Sequence, residues 1–355
     1  MDILLNACDN LFLDFVWAKL VPVSAFAEFG GNASSEEVLG SPIRAQVPPS
    51  LDTWSWNNLV SQLPHPPLSA ILASSSQESL LNSSSSSPSL TLLNNGTIPD
   101  VSAWPRDFIP RQILSISVLT ILGAYFLYFM FSWLSYTFIF NHDMMRHPRF
   151  LKNQVRLEIQ TSVKAIPVMT LLTVPWFVAE VRGKSKLYDD VEANGGWVYL
   201  VLSVPMFLLF TDYCIYWIHR WLHLPLFYKT LHKPHHKWIV PTPFASYAFH
   251  PIDGYLQSVP YHLFVFFFPL HRMLYLTLFV LITIWTIFIH DSDMITGHPL
   301  EKVINGPAHH TLHHIYFTVN YGQYFTWADR VGSSYRHPDS SLDPLLELNT
   351  NGLID

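Results

Sequence analysis

The distribution of apolar and polar positions divides this chain into two unlike parts. Residues 1–111 are rich in Pro, Ser and Asn, including the run Ser83–Ser87, and predict a largely low-complexity segment. At its start, Met1–Pro22 carries Leu, Phe and Trp at roughly helical spacing. That stretch reads equally as a helix lying on a membrane and as a packed amphipathic helix. Its acidic start without a basic n-region argues against a signal peptide. From 113 to 140 the pattern changes: 28 consecutive residues hold no Asp, Glu, Lys or Arg, against the ~20 needed for a bilayer-spanning helix. A shorter apolar run at 165–179 contains Pro167 and Pro175. The run at 197–211 is expected to continue as a helix through Asp212 to His219. Residues 255–290 are too long for one span, and Pro269, His271 and Arg272 in their middle predict a hairpin. The tail from 291 is polar again. The pattern therefore predicts a low-complexity segment over 1–111, transmembrane helices over 112–218, a histidine-rich region over 219–338 that includes the hairpin, and a C-terminal tail over 339–355.

Composition supports lipid exposure: half of the 355 residues are hydrophobic and 13% are charged, against about 25% charged in soluble domains. The net charge of −6 leaves no basic footprint for nucleic acid. Two cysteines far apart, Cys8 and Cys214, exclude a disulfide framework and a Cys-rich zinc module. The loop 141–164 carries Arg146, Arg149, Lys152, Arg156 and Lys164, which the positive-inside rule places in the cytosol. Counting spans from there puts both histidine-rich stretches on the cytosolic face. It also puts residues 1–111 in the lumen, where the sequons at Asn32, Asn82 and Asn95 would be open to glycosylation.

Histidine changes the picture most. Of 18 in the chain, 14 lie between His219 and His314. His219 and His223 form an H-x3-H pair; His232, His235 and His236 form H-x2-H-H; His310, His313 and His314 repeat it. On a helix these spacings put imidazoles on one face. Two H-x2-H-H boxes plus H-x3-H within 96 residues are not accidental. Eight imidazoles are too many for one ion, so two metals are implied, and neutral imidazole suits zinc, iron, copper and nickel. His250 and His290 are further candidate ligands. His262 and His271, inside the hydrophobic hairpin, read as hydrogen-bonded core residues, and His298 and His309 as surface residues. A carboxylate inside a span is costly and usually functional. Asp212 stands two helical turns before His219, and with Tyr216 is in position to orient the first histidine pair. The fold expected is thus an all-α integral membrane protein, a transmembrane helical bundle with a cytosolic-face, histidine-rich di-metal domain.

Zinc hydrolysis needs three ligands and a water, and haem one or two axial histidines. Two irons at a membrane face suit attack of O2 on an unreactive C–H bond of a lipid. No Gly-x-Gly-x-x-Gly fingerprint is present, so the electrons must come from a separate redox partner. A membrane metal transporter is the rival of another class. Its sites usually lie near the bilayer midplane, whereas these boxes follow the ends of apolar segments.

At these residues the chain resembles the fatty acid hydroxylase superfamily, whose members carry the same three boxes. Within it the sequence is most similar to the sterol C-5 desaturases, especially the fungal ones. The likeness runs through Asp212-Tyr213-Cys214-Ile215-Tyr216-Trp217-Ile218-His219-Arg220, Ala248–Tyr255, Asn305-Gly306 and Asn320-Tyr321-Gly322-Gln323-Tyr324, and covers roughly residues 100–338. The Asn-Tyr-Gly-Gln stretch favours the sterol desaturase subgroup. One departure is Thr326-Trp327-Ala328-Asp329-Arg330 with Gly332-Ser333-Ser334, where the family has Thr-Leu-Trp-Asp-Arg and Gly-Gly-Ser. The resemblance implies a Δ7-sterol 5(6)-desaturase of the endoplasmic reticulum. It implies two iron ions, O2 as co-substrate, and electrons from NAD(P)H through cytochrome b5 and its reductase. A sterol C-4 methyl oxidase, or a hydroxylase of fatty acyl chains or sphingoid bases, would share the same boxes.

Overall fold

A computed structural model describes residues 1–27, 55–68, 70–71 and 101–351, the last three in backbone only. The three sequons and the serine run lie outside the described residues. Two compact units are present, Asp2–Ile116 and Ser117–Asp355 with Met1.

In the first unit the N-terminal stretch is helical over Asp2–Cys8 and Asp14–Leu20, with a π-turn over Asp9–Leu13 between them. It is apolar on both sides. Leu5, Leu13 and Trp17 are buried, and Trp17 donates its indole N–H to Ser115 Oγ at 2.9 Å; Leu11, Phe12 and Phe15 are exposed. The buried Arg111 guanidinium meets Asp9 at 2.6 Å and also Asp14, so the charge taken out of water is paired.

Among the described residues, three helices are long and apolar enough to cross a membrane: α1 (Ile109–Phe138), α2 (Gln154–Val181) and α3 (Gly196–Leu222). The weak run at 165–179 is thus part of a full 28-residue helix. Its first turns carry charge, which hides them from a hydropathy reading. One of those charges, Glu158, is fully buried and accepts from Gln154 Nε2 at 2.8 Å and from the backbone N–H and hydroxyl of Thr242. Pro167 and Pro175 sit inside α2; spanning helices tolerate proline where neighbours satisfy the freed carbonyls. After α2, β1 (Leu187–Tyr188) precedes α3. Then α4 (Pro251–Phe267) and α5 (Arg272–Phe288), 17 residues each, flank the turn that holds β2 (Leu270–His271). β1 pairs with β2 in parallel, and Arg272 Nε donates to Asp189 at 2.9 Å. These contacts tie the α2–α3 connection to the α4–α5 turn.

Deep between these helices, Tyr275 of α5 donates to Glu180 Oε1 of α2 at 2.9 Å, and His262 of α4 lies 3.3 Å from the Tyr275 hydroxyl. His262 also stacks on Trp176, so it is the core histidine expected. α3 is about 40 Å long at 1.5 Å per residue, roughly 10 Å more than the hydrocarbon layer. Its last turn carries His219. α6 (Pro307–Tyr316) follows the hairpin with proline at its first position, where the missing N–H is an orphan in any case.

Candidate metal centre

The first histidine pair sits at the end of α3. His219 is in the last turn, and His223 caps the helix, donating its N–H to His219 O at 3.2 Å. The third box is on α6, as its spacing predicts. The middle box is not on a regular α-helix: His232 ends a π-turn over Tyr228–His232, and His235 and His236 follow in turns. The segment after it is fixed from outside. Tyr128 and Ser162 donate to Phe244 O, and Ser132 to Pro243 O, at 2.9–3.2 Å.

The imidazoles gather in two groups. His219, His223, His232, His236 and His313 form one; His235, His290, His310 and His314 form the other. Each H-x2-H-H box is therefore divided. The i, i+4 pairs, His232 with His236 and His310 with His314, stay together, while the i+3 histidine crosses to the other group. Two groups built from interleaved boxes cannot move independently.

The ring nitrogens set what each group could hold. His219, His313, His314 and His290 hold their Nδ1 against the carbonyls of Tyr321, Val319, Trp238 and Thr286, at 2.6–3.0 Å. His232 Nδ1 meets the Asp253 carboxylate at 2.7 Å. A carbonyl or carboxylate oxygen only accepts, so the proton is on Nδ1 and Nε2 is bare. Yet Nε2 of His219 lies 3.1 Å from the equally bare Nε2 of His232, and in the other group the bare Nε2 atoms of His290 and His314 lie 3.0 and 3.1 Å from the Nε2 of His310, which has at most one proton to share between them. Lone pairs facing at such distances repel unless a cation stands among them. Two nitrogens bound to one ion at about 2.1 Å lie roughly 3.0–3.4 Å apart for angles between right and tetrahedral. Burial, reinforced by the neighbouring imidazoles, holds His223, His235, His236, His310, His313 and His314 well below the usual imidazole range. Burial also pushes His290 down to about 4. The neutral rings are the form that binds metal. The donor set fits two borderline cations such as iron.

A cavity of about 140 Å³ opens onto both groups. His219, His235, His290 and His310 line it, with Met169, Ile215, Phe279 and Ile282 among its apolar walls.

The fatty acid hydroxylase family model matches residues 204–334, which span this centre. The chain is 54% identical to Delta(7)-sterol 5(6)-desaturase erg3C of Aspergillus fumigatus, over 73% of this chain and 88% of the relative. It is 45% identical to the Delta(7)-sterol 5(6)-desaturase of Leptosphaeria maculans, over 96% and 88%. It is 56% identical to the lathosterol oxidase of Homo sapiens, over 67% and 80%. The chain belongs to the fatty acid hydroxylase family, among its sterol 5(6)-desaturases and lathosterol oxidases. No solved structure matches it significantly.

In this fatty acid hydroxylase family member, four residues singled out from sequence stand elsewhere than expected. His250 lies outside both groups and caps α4, its Nδ1 accepting from Ile252 N–H at 3.3 Å; the Pro251 that follows starts the helix and directs His250 to a capping position. Asp212 touches no histidine. Its Oδ1 accepts the backbone N–H groups of Gln323, Tyr324 and Phe325 at 2.7–3.2 Å. Tyr216 is also off the imidazoles; its hydroxyl meets Ser334 Oγ and Arg220. His309 is buried but outside both groups.

The carboxylate that does hold a histidine is Asp253, missed from sequence although it stands in the Phe-His-Pro-Ile-Asp motif. Asp329, also missed, accepts the N–H groups of Tyr321 and Gly322 at 2.8 Å. Five successive amides, 321–325, thus point at two carboxylates, and the loop so clamped offers Tyr321 O to His219. Gly322 is required there: a Cβ would lie 2.5 Å from Phe325 O and 3.0 Å from Asp329 Oδ2. Gly322→Ala should lower stability by about 1–3 kcal/mol, the usual cost of overpacking, read as a drop in thermal midpoint in detergent.

Proximity to the ligands ranks the two carboxylates. Asp253→Asn should reduce metal content or activity about 10–100-fold, as loss of a ligand's partner does. Asp212→Asn acts only through the loop and retains an oxygen acceptor, so its effect should be smaller. Metal analysis of both purified variants checks the order; a larger loss at Asp212 would reverse it.

Proposed function

We propose that this protein is a di-iron, O2-dependent Δ7-sterol 5(6)-desaturase that introduces the C5–C6 double bond in sterol biosynthesis. The observation that carries the reading is the pair of buried histidine groups, with bare Nε2 atoms turned inward, beside a cavity walled partly by apolar side chains. The relatives' names supply the sterol and the bond. Two irons held by His219, His223, His232, His236 and His313 on one side, and His235, His290, His310 and His314 on the other, would supply O2 activation against hydrogens on C5 and C6. The chain's own part is positional. Asp253 and four backbone carbonyls lock the imidazole tautomers, and the Asp212–Asp329 clamp holds the 321–325 loop against His219. Met169, Ile215, Phe279 and Ile282 present an apolar wall to the sterol rings and keep water from the reacting carbons.

The reading includes a location and a supply of electrons. It places the protein in the endoplasmic reticulum membrane with the catalytic face cytosolic, following the basic 141–164 loop, and takes electrons from NAD(P)H through cytochrome b5 and its reductase. Sterol profiling by mass spectrometry, after deleting the gene and after restoring it, tests the assignment. Loss of 5,7-dienes with accumulation of Δ7-sterols is expected. Accumulation of C-4 methylated sterols, or a change confined to hydroxylated acyl chains or sphingoid bases, would overturn it in favour of another oxidase of the family.

A further inference from the structure

Besides the histidines and two tyrosines, Tyr247 and Tyr261, the latter accepting from the Tyr324 hydroxyl at 3.1 Å, the cavity wall carries Ser246, Gln257, Ser258, Thr283, Thr286 and Gln323. The four serine and threonine hydroxyls have already given their protons to backbone carbonyls: Ser246 to Pro243, Ser258 to Tyr255, Thr283 to Phe279 and Thr286 to Ile282, at 2.7–2.9 Å. They retain acceptor lone pairs only. A hydroxyl-bearing ligand both donates and accepts, so these residues answer half of it.

Gln257 can answer both halves. Its Nε2 donates to Asp253 Oδ1 at 2.7 Å. That charge-assisted bond settles which end of the amide is nitrogen, leaving Oε1 to accept and a second N–H to donate. The other oxygen of the same carboxylate holds His232 Nδ1 at 2.7 Å. One side chain therefore bridges the cavity wall and a candidate metal ligand. Gln257 lies four residues beyond Asp253 on α4, about 6 Å along the helix axis.

We propose that the Gln257 amide receives the ring hydroxyl of the sterol and so fixes which carbons face the histidine groups. The inference rests on the sterol desaturase reading above. In a sterol the hydroxyl carbon is separated from C5 by a single ring carbon. A hydroxyl held at the amide that touches the carboxylate gripping His232 leaves C5 and C6 in the same cavity as His219, His235, His290 and His310, with the sterol side chain directed away from them. Gln323 is the other amide in the wall, but its Nε2 donates to the neutral Thr286 Oγ1 at 3.0 Å and its backbone is in the Asp212 clamp. It closes the wall beside His290, whose Nδ1–H donates to Thr286 O.

The test is equilibrium binding to the intact purified protein in lipid nanodiscs, under argon and without reductant so that no turnover occurs. The probes are a radiolabelled Δ7-sterol and its 3-deoxy counterpart. Wild type should bind the hydroxylated sterol about tenfold more tightly, the effect of one buried hydrogen-bonded group. Gln257→Leu should bring the ratio close to one. Gln257→Asn, which retains the amide on a shorter arm, should keep part of the preference and shows that the site is still folded. Gln323→Leu should leave the ratio unchanged. Equal binding of the two probes by wild type, an undiminished preference in Gln257→Leu, or loss of preference in Gln323→Leu instead, would each overturn the proposal. A wild-type protein that binds sterol but forms no 5,7-diene when supplied with electrons would instead overturn the functional reading on which it rests.

Discussion

His235→Ala and His313→Ala should each abolish formation of the 5,7-diene while leaving the protein in the membrane. The two positions sample the two groups. His313 contributes its Nε2 3.1 Å from that of His236, and His235 contributes its own 3.3 Å from that of His290. Removing either ring leaves the remaining imidazoles without a local substitute, because every neighbouring donor already belongs to a group. Loss of an outer partner typically reduces affinity or activity by about 10–100-fold, and loss of a ligand should exceed that and take the product below detection. Metal analysis of the purified variants provides the second measurement: each should hold fewer ions per chain than wild type. The membrane helices are built from other residues, so membrane insertion should be unaffected. Near-normal diene production by either variant would sink the assignment of two metals.

What made this centre legible in sequence was the repetition of imidazoles at helical spacing. Spacing alone assigns a face, however, and the middle box folds as a π-turn followed by turns rather than as a helix. The division of each box between two groups was therefore invisible, since it depends on how three separate segments meet. Asp212 illustrates the same limit. A buried carboxylate seven residues before a histidine signals a role, but its partners are three backbone amides 111 to 113 residues away in sequence. Backbone amides leave no mark in a sequence pattern. His250 failed for the opposite reason: the following proline was visible, and a residue before a helix-initiating proline is a capping candidate. Asp253 lies in the same motif, and a carboxylate one turn into a helix has many ordinary uses, so its place beside His232 leaves no distinct mark in sequence. The span at 165–179 was under-read because Glu158 and its neighbours break the hydropathy, although α2 satisfies them by hydrogen bonds.

Purified protein supplied with sterol, O2 and NADH alone should be inactive, and adding cytochrome b5 and its reductase to the same membrane should restore turnover. Desaturation with O2 draws two external electrons per double bond, and the sequence carries no nucleotide-binding fingerprint from which the chain could draw them itself. The surface near the centre indicates how a carrier would be met. Lys229, Lys233 and Lys237 are exposed and bracket His232 and His236 in the chain. Lys302 and Arg330 are also exposed, and Arg336, half-buried, lies 3.8 Å over the Tyr316 ring. By contrast Asp291, in the same polar stretch, is buried and offers no charge to a partner. A carrier with an acidic face would therefore meet lysines above the first histidine group. Exposed charge pairs are screened over about 8 Å at physiological ionic strength, so turnover at limiting cytochrome should fall as salt rises. Replacing Lys229, Lys233 and Lys237 together by Gln should raise the cytochrome concentration needed for half-maximal rate and flatten that salt dependence, with sterol binding unchanged. Robust desaturation by the isolated chain with NADH would refute the need for a carrier. A rate independent of salt in the wild type would leave the carrier in place but remove the lysines from its docking surface.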